Sequence, residues 1–114
     1  MNKIIKIIFF LALTFSLAPG TVLANNKIKI GLLVPLTGKN SEIGQSIIKS
    51  TRLAINTINN VSIEIVPKDT QSNPAITLRA AKELANSGIK IVIGPVFNEN
   101  LIYLDELNEL TFLA

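Results

Sequence analysis

The chain has 114 residues, 11 of them Lys or Arg and 8 Asp or Glu, and it contains neither cysteine nor histidine. That excludes disulfides, thiolate or histidine-ligated metal sites, and every Ser-His or Cys-His nucleophile scheme within these residues. No nucleophile–base pair is visible, so no enzyme activity, no cofactor and no metal are expected.

Residues 1–24 read as a signal peptide. Lys3 and Lys6 form a positive start, Ile7 to Leu17 is apolar except for Thr14 and Ser16, and Val22-Leu23-Ala24 supplies small residues for cleavage after Ala24. The alternative is a membrane anchor. A helix of about 12 residues is about 18 Å long, short of a ~30 Å hydrocarbon core. No cysteine follows Ala24 to take a lipid, so the mature chain is expected to have no stable membrane anchor. Without Lys3 and Lys6, nine cations face eight acids, a net charge of +1. The basicity belongs to the leader, and no nucleic-acid partner is expected.

The first strand is expected over Lys27 to Val34. Ile28 and Ile30 alternate with lysines, and Leu32-Leu33-Val34 then run on continuously, as in a strand passing from the rim into the interior. Pro35-Leu36-Thr37-Gly38 breaks it, and Asn40 or Ser41 is placed to cap a helix. That helix is expected from about Glu42 to Asn59, with Ile43, Ile47, Thr51, Ala54 and Ile58 as its inward stripe. Ser62 to Val66 alternates with period two, as suits a sheet edge, and reads as a second strand, ended by Pro67. Asn73 caps a second helix, Pro74 fits its first turn, and Gly88 closes it.

Ile89 to Ile93 is a buried strand in pattern, stopped by Gly94-Pro95. A third helix is expected from about Glu99 to Glu109, capped by Asn98, with Phe97 stapled to Ile102 and Leu101, Leu104 and Leu107 turned inward. Thr111 opens a fourth strand. Strands and helices alternate throughout, which predicts an α/β fold with an open, doubly wound parallel sheet. A chain that stops inside a strand leaves its sheet unfinished, so residues 25–114 read as a fragment or a truncated reading frame rather than a complete protein.

In such a sheet, ligands bind beyond the carboxyl ends of the strands, where strand order reverses. With the first strand central, the loops Pro35–Ser41 and Gly94–Asn98 would meet there, each leading into a helix N-terminus suited to a carboxylate. Gly38 and Gly44 do not have the spacing of a dinucleotide fingerprint and read as turn and packing glycines. Asp69 reads as a loop-stabilising carboxylate. Asp105, Glu106 and Glu109 read as a solvated helix face. Asn98 is either a cap alone or a ligand contact.

Ile30-Gly31-Leu32-Leu33-Val34-Pro35-Leu36-Thr37-Gly38, then Gly44-Gln45, Leu53-Ala54, Asn56, Asp69, Asn73-Pro74, Ala80-Ala81 and Ile91-Val92-Ile93-Gly94-Pro95, resemble the type I periplasmic binding proteins. The branched-chain amino-acid-binding branch is the nearest in kind. The resemblance implies two α/β lobes, of which residues 25–114 would be the truncated first part of the first, closing on a small ligand, such as an amino acid, and delivering it to an ABC transporter permease from the periplasm. It also implies ligand contacts at Ile43 and at Val96, Phe97 and Asn98. Phe97 and Asn98 stand where amino-acid binders usually carry small or hydroxyl residues. A related branch, the outer-membrane lipoprotein activators of peptidoglycan synthases, is similar around Val66-Pro67-Lys68-Asp69-Thr70 and Gly94-Pro95-Val96-Phe97. It implies a protein-interaction module on the same fold.

Overall fold

The computed structural model describes residues 3–4, 20, 26–58 and 62–114. Apart from Lys3, Ile4 and Gly20, the leader and its cleavage point lie outside these residues. Four strands, β1 (Ile28–Val34), β2 (Ile63–Asp69), β3 (Ile91–Ile93) and β4 (Thr111–Leu113), form one sheet. Its order is β2-β1-β3-β4 and every pairing is parallel, with Leu32 opposite both Pro67 and Ile93, and Ile93 opposite Leu113. Helix α1 (Ser41–Ile58) joins β1 to β2, and helix α2 (Pro74–Asn86) joins β2 to β3.

The chain steps from β1 outward to β2, then back across β1 to β3. Right-handed crossovers in opposite directions put the two helices on opposite faces. Side-chain alternation in β1 follows from this. Leu32 and Val34 pack with Ile48 of α1, and Leu33 packs with Ala80, Ala81 and Leu84 of α2. The continuous apolar run is thus a strand sandwiched between two helices. Each such fully buried aliphatic side chain contributes about 1.5–3 kcal/mol of transfer free energy. The cover is uneven on the α1 face. Leu32, Ile93 and Leu113 share a row, and exposure climbs from 1% at Leu32 to 56% at Leu113.

β3 begins at Ile91 rather than Ile89 and buries only Val92, its Ile91 being left exposed on the thinly covered α1 face. Three further elements depart from the sequence reading. On α1 the buried residues are Gly44 and Ile48, while Ile43, Ala54 and Ile58 are exposed and Ile47 and Thr51 only half-buried. Gly44 sets this rotation, because its bare backbone lies against the carbonyl of Pro35 and turns the neighbouring face inward. The end of this helix expected at Asn59-Asn60 lies outside the described residues.

The second departure is β2, which runs through Pro67 to Asp69. The Ser62 carbonyl accepts from Ile28 and the Thr70 N–H donates to Val34, so even-numbered residues turn their backbone groups toward β1. By alternation Pro67 faces the open edge, where a missing N–H breaks no bond.

Third, no α-helix follows β3. Two 3₁₀ turns, Asn98–Leu101 and Leu104–Glu106, take its place. Phe97, in extended conformation, holds the cap position with no side-chain capping bond, so Asn98 is not the cap. Ile102 is 59% exposed and does not serve as a staple for Phe97. Leu101, Leu104, Leu107 and Leu110 recur every third residue, a spacing that lines up along a structure of three residues per turn. Leu104, Leu107 and Leu110 are buried and Leu101 packs against them.

Candidate functional site

Because all four strands are parallel, Val34, Asp69, Ile93 and Leu113 end at the same edge of the sheet. Three loops leave from there: Leu36–Asn40 ahead of α1, Thr70–Asn73 ahead of α2, and Gly94–Phe97 after β3. Gly94 adopts φ +96°, and a Cβ there would lie 2.5 Å from the Leu33 carbonyl oxygen, so the third loop leaves flush against β1. Its N–H also donates to Leu113 O at 2.9 Å. The Gly94–Pro95 peptide is cis.

Asp69 joins the first two loops. Its Oδ1 accepts from the N–H groups of Leu36 (2.8 Å), Thr37 (3.4 Å) and Gln71 (2.9 Å), and its Oδ2 accepts from Thr37 Oγ1 (2.6 Å). Partial burial pushes this carboxyl up. The hydrogen bonds from the Thr37 hydroxyl and from the Leu36, Gln71 and Thr37 amides outweigh it and hold the group below its ordinary value. The loop-stabilising role read for Asp69 is what the geometry shows. Asn40 stands just ahead of α1, but its side-chain amide is turned to Ser72 Oγ at 3.0 Å. Asn73 caps α2 through Ala75 and Ile76, with Pro74 in the first turn. Gly88, at φ +83°, follows the Ser87 C-cap.

The four predicted contact residues lie past the carboxyl ends of the adjacent strands β1 and β3. Ile43 is on the first turn of α1, 44% exposed, while Val96 and Asn98 are exposed and Phe97 is half-buried in the β3 segment. Of the expected pair of helix N-termini only that of α1 is formed. The amides of Ser41, Ile43 and Gly44 already donate to the carbonyls of Gly38 and Asn40, and the β3 loop enters a short 3₁₀ turn. A polar hollow of about 210 Å³ lies instead beside the Lys68–Glu83 ion pair, lined also by Asp69, Gln71, Ile76 and Arg79. The bond from Lys68 and its charge hold the exposed Glu83 below its ordinary value.

One polar residue escaped the sequence reading. Asn100 is 1% exposed, and neither its Oδ1 nor its Nδ2 has a partner. Its place one residue before Leu101 on the inward 3₁₀ line was the available signal. Among the described residues no helix is long and apolar enough to cross a membrane.

A family model described as periplasmic binding protein matches residues 27–102. An ABC transporter substrate-binding protein from Sphaerobacter thermophilus superposes with a TM-score of 0.69 at 16% identity, over 76% of this chain and 26% of its own. The branched-chain amino acid transporter substrate binding protein LivJ from Streptococcus pneumoniae, in complex with isoleucine, has a TM-score of 0.56 at 30% identity, over 61% of this chain and 22% of its own. LpoA from Haemophilus influenzae has a TM-score of 0.60 at 24% identity, over 76% of this chain and 16% of its own. No curated protein matches the chain. The chain spans about a quarter or less of the length of these structures. With the matched stretch covering both crossovers and the three loops that leave the edge where they converge, the chain belongs to the periplasmic binding protein family.

Proposed function

We propose that this chain is the N-terminal part of a periplasmic solute-binding protein, the ligand-binding component of an ABC transporter for amino acids or related small anionic solutes. The observation that carries the reading is the reversal of strand order at β1, which sets the loops after β1 and β3 side by side at one edge. In this reading residues 25–114 begin one lobe, and solute lies over Ile43, Val96, Phe97 and Asn98. The leader exports the chain and is cleaved after Ala24, a permease receives the solute, and the protein performs no catalysis. The likeness to the isoleucine-bound structure supports the solute class.

Calorimetric titration of the full-length protein against a panel of the common amino acids tests this. Binding is expected for at least one of them, weakened about tenfold by Asn98→Ala, as for loss of one solute hydrogen bond. Silence across the panel overturns the reading.

A second reading keeps the fold as a protein-interaction module, an envelope regulator of the penicillin-binding-protein activator kind. It rests on the Val66–Thr70 and Gly94–Phe97 stretches and on the likeness to the Haemophilus influenzae structure. A pull-down from envelope extract that recovers a peptidoglycan synthase, together with silence in calorimetry, favours it.

A further inference from the structure

We infer that Asp69 is a positioning residue, whose carboxylate makes the β2–α2 turn the mould for the loop Leu36–Asn40 at the solute edge. The inference rests on the proposed reading only in taking that edge as the solute side. Three of the four donors that converge on Asp69 belong to Leu36 and Thr37, in a loop 32 or 33 residues away in sequence. The fourth is the N–H of Gln71. One carboxylate thus closes both loops at once.

The mould is held stiff. Gln71 and Ser72 have φ of +50° and +53°, a left-handed conformation that L-residues adopt at a cost and that persists only where the surroundings over-determine it. The surroundings here are specific. Thr70 is fully buried, its N–H donates to Val34 O at 3.0 Å, and its Oγ1 accepts from the Ser72 N–H at 3.3 Å. Asn73 N donates to Thr70 O at 2.9 Å, and Asn40 Nδ2 reaches Ser72 Oγ at 3.0 Å. The β2–α2 turn is therefore anchored to the core, to the cap of α2 and to the residue before α1. The Leu36–Asn40 loop's own backbone bonds lie at its far end, where Ser41 N donates to Gly38 O and Ile43 N and Gly44 N donate to Asn40 O, while the Leu36 and Thr37 amides are bonded to Asp69 alone. The shape of the turn sets the shape of the loop.

Lys68, Arg79 and Glu83 line the hollow that Asp69 also borders, and Lys68 is held by Glu83 at 2.7 Å. None of the three hydrogen-bonds to Asp69, so a conformational effect of Asp69 is separable from theirs.

The test is backbone amide NMR on the 114-residue chain. In the wild type, the Leu36, Thr37 and Gln71 amide protons are expected to shift together on acidification, with one shared inflection, while Val92 stays still. In Asp69→Asn the shared inflection disappears, and exchange at Leu36 and Thr37 rises about tenfold relative to Val92. Thr37→Val, a change at an exposed side chain, keeps the fold in reserve and is expected to move the inflection upward. Unchanged Leu36 and Thr37 amides in Asp69→Asn overturn the inference, as does a rise in exchange shared equally by Val92. If Asp69→Asn does not fold, an unmoved inflection in Thr37→Val overturns it alone. No solute is needed, so silence in the amino-acid titration counts against the solute reading and leaves this result standing.

Discussion

Gly44 presses its α-carbon onto Pro35: a methyl group there would fall 1.8 Å from the Pro35 carbonyl oxygen. No rotamer relieves such an overlap, because both partners are backbone. Gly44→Ala must push α1 off the end of β1 and open the Leu32, Val34 and Ile48 cluster. Overpacking of this kind costs about 1–3 kcal/mol, and a backbone clash belongs at the upper end. Urea unfolding of Gly44→Ala should show a midpoint well below wild type, while Gln45→Ala, on the exposed side of the same turn, stays within about 0.5 kcal/mol.

Asp69 links stability to acid. Its native carboxyl lies below its ordinary value, so the unfolded chain takes up the proton first as pH falls. The stabilisation is full above the unfolded value of about 4 and is lost as pH drops through the depressed native value. Urea midpoints should therefore fall as pH drops below about 4, and Asp69→Asn should flatten that fall while lowering stability at neutral pH by about 1–2 kcal/mol. A slope as steep in Asp69→Asn as in wild type contradicts the assignment.

The unpartnered amide of Asn100 is a cost carried by the native state. Exchange for an apolar side chain of similar size removes that penalty and keeps the volume. Asn100→Leu is expected to raise stability by about 1–2 kcal/mol. A lower thermal midpoint for Asn100→Leu would show instead that the amide has a partner worth keeping.

The bare half of the α1-side sheet face offers a further measurement. Ile91 and Leu113 are exposed on the row system that α1 covers only over β1 and β2. An environment-sensitive apolar dye should bind the folded chain, and Leu113→Lys should reduce that binding with the circular dichroism unchanged. Dye binding equal in both proteins removes the face from consideration.

The order of strands and helices was legible because long-range burial writes it plainly. The run Leu32-Leu33-Val34 required cover on two sides, and Asn73-Pro74 and Gly88 bracket α2 by local chemistry that needs no tertiary knowledge. Finer placement depended on contacts that spacing does not carry. Ile43 and Ala54 look inward on a wheel, but the neighbour of Gly44 is the Pro35 carbonyl nine residues back, so the wheel is turned by about one position. Pro67 reads as a stop even in a strand whose alternation suits an edge, because only the register shows that its missing N–H faces outward. The leucines 101, 104, 107 and 110 did carry a three-residue period, which a helical reading smooths over. Of the candidate site, the edge and its loops were foreseeable from the alternation of strands and helices. The spent amides of Ser41, Ile43 and Gly44 were not, because they are bonded to carbonyls of the loop itself.

Pro67 has one more consequence. Among the described residues the sheet has two rims, and they are unequal as templates. A visiting strand laid along β2 would meet a position with no donor to offer, next to the charged Lys68 and Asp69. Along β4 it would find Phe112 with its N–H and C=O turned outward, since Thr111 and Leu113 direct theirs to β3. Growth of this sheet by strand addition therefore has a polarity: one rim is sealed by its own covalent structure, and the other is competent to be extended.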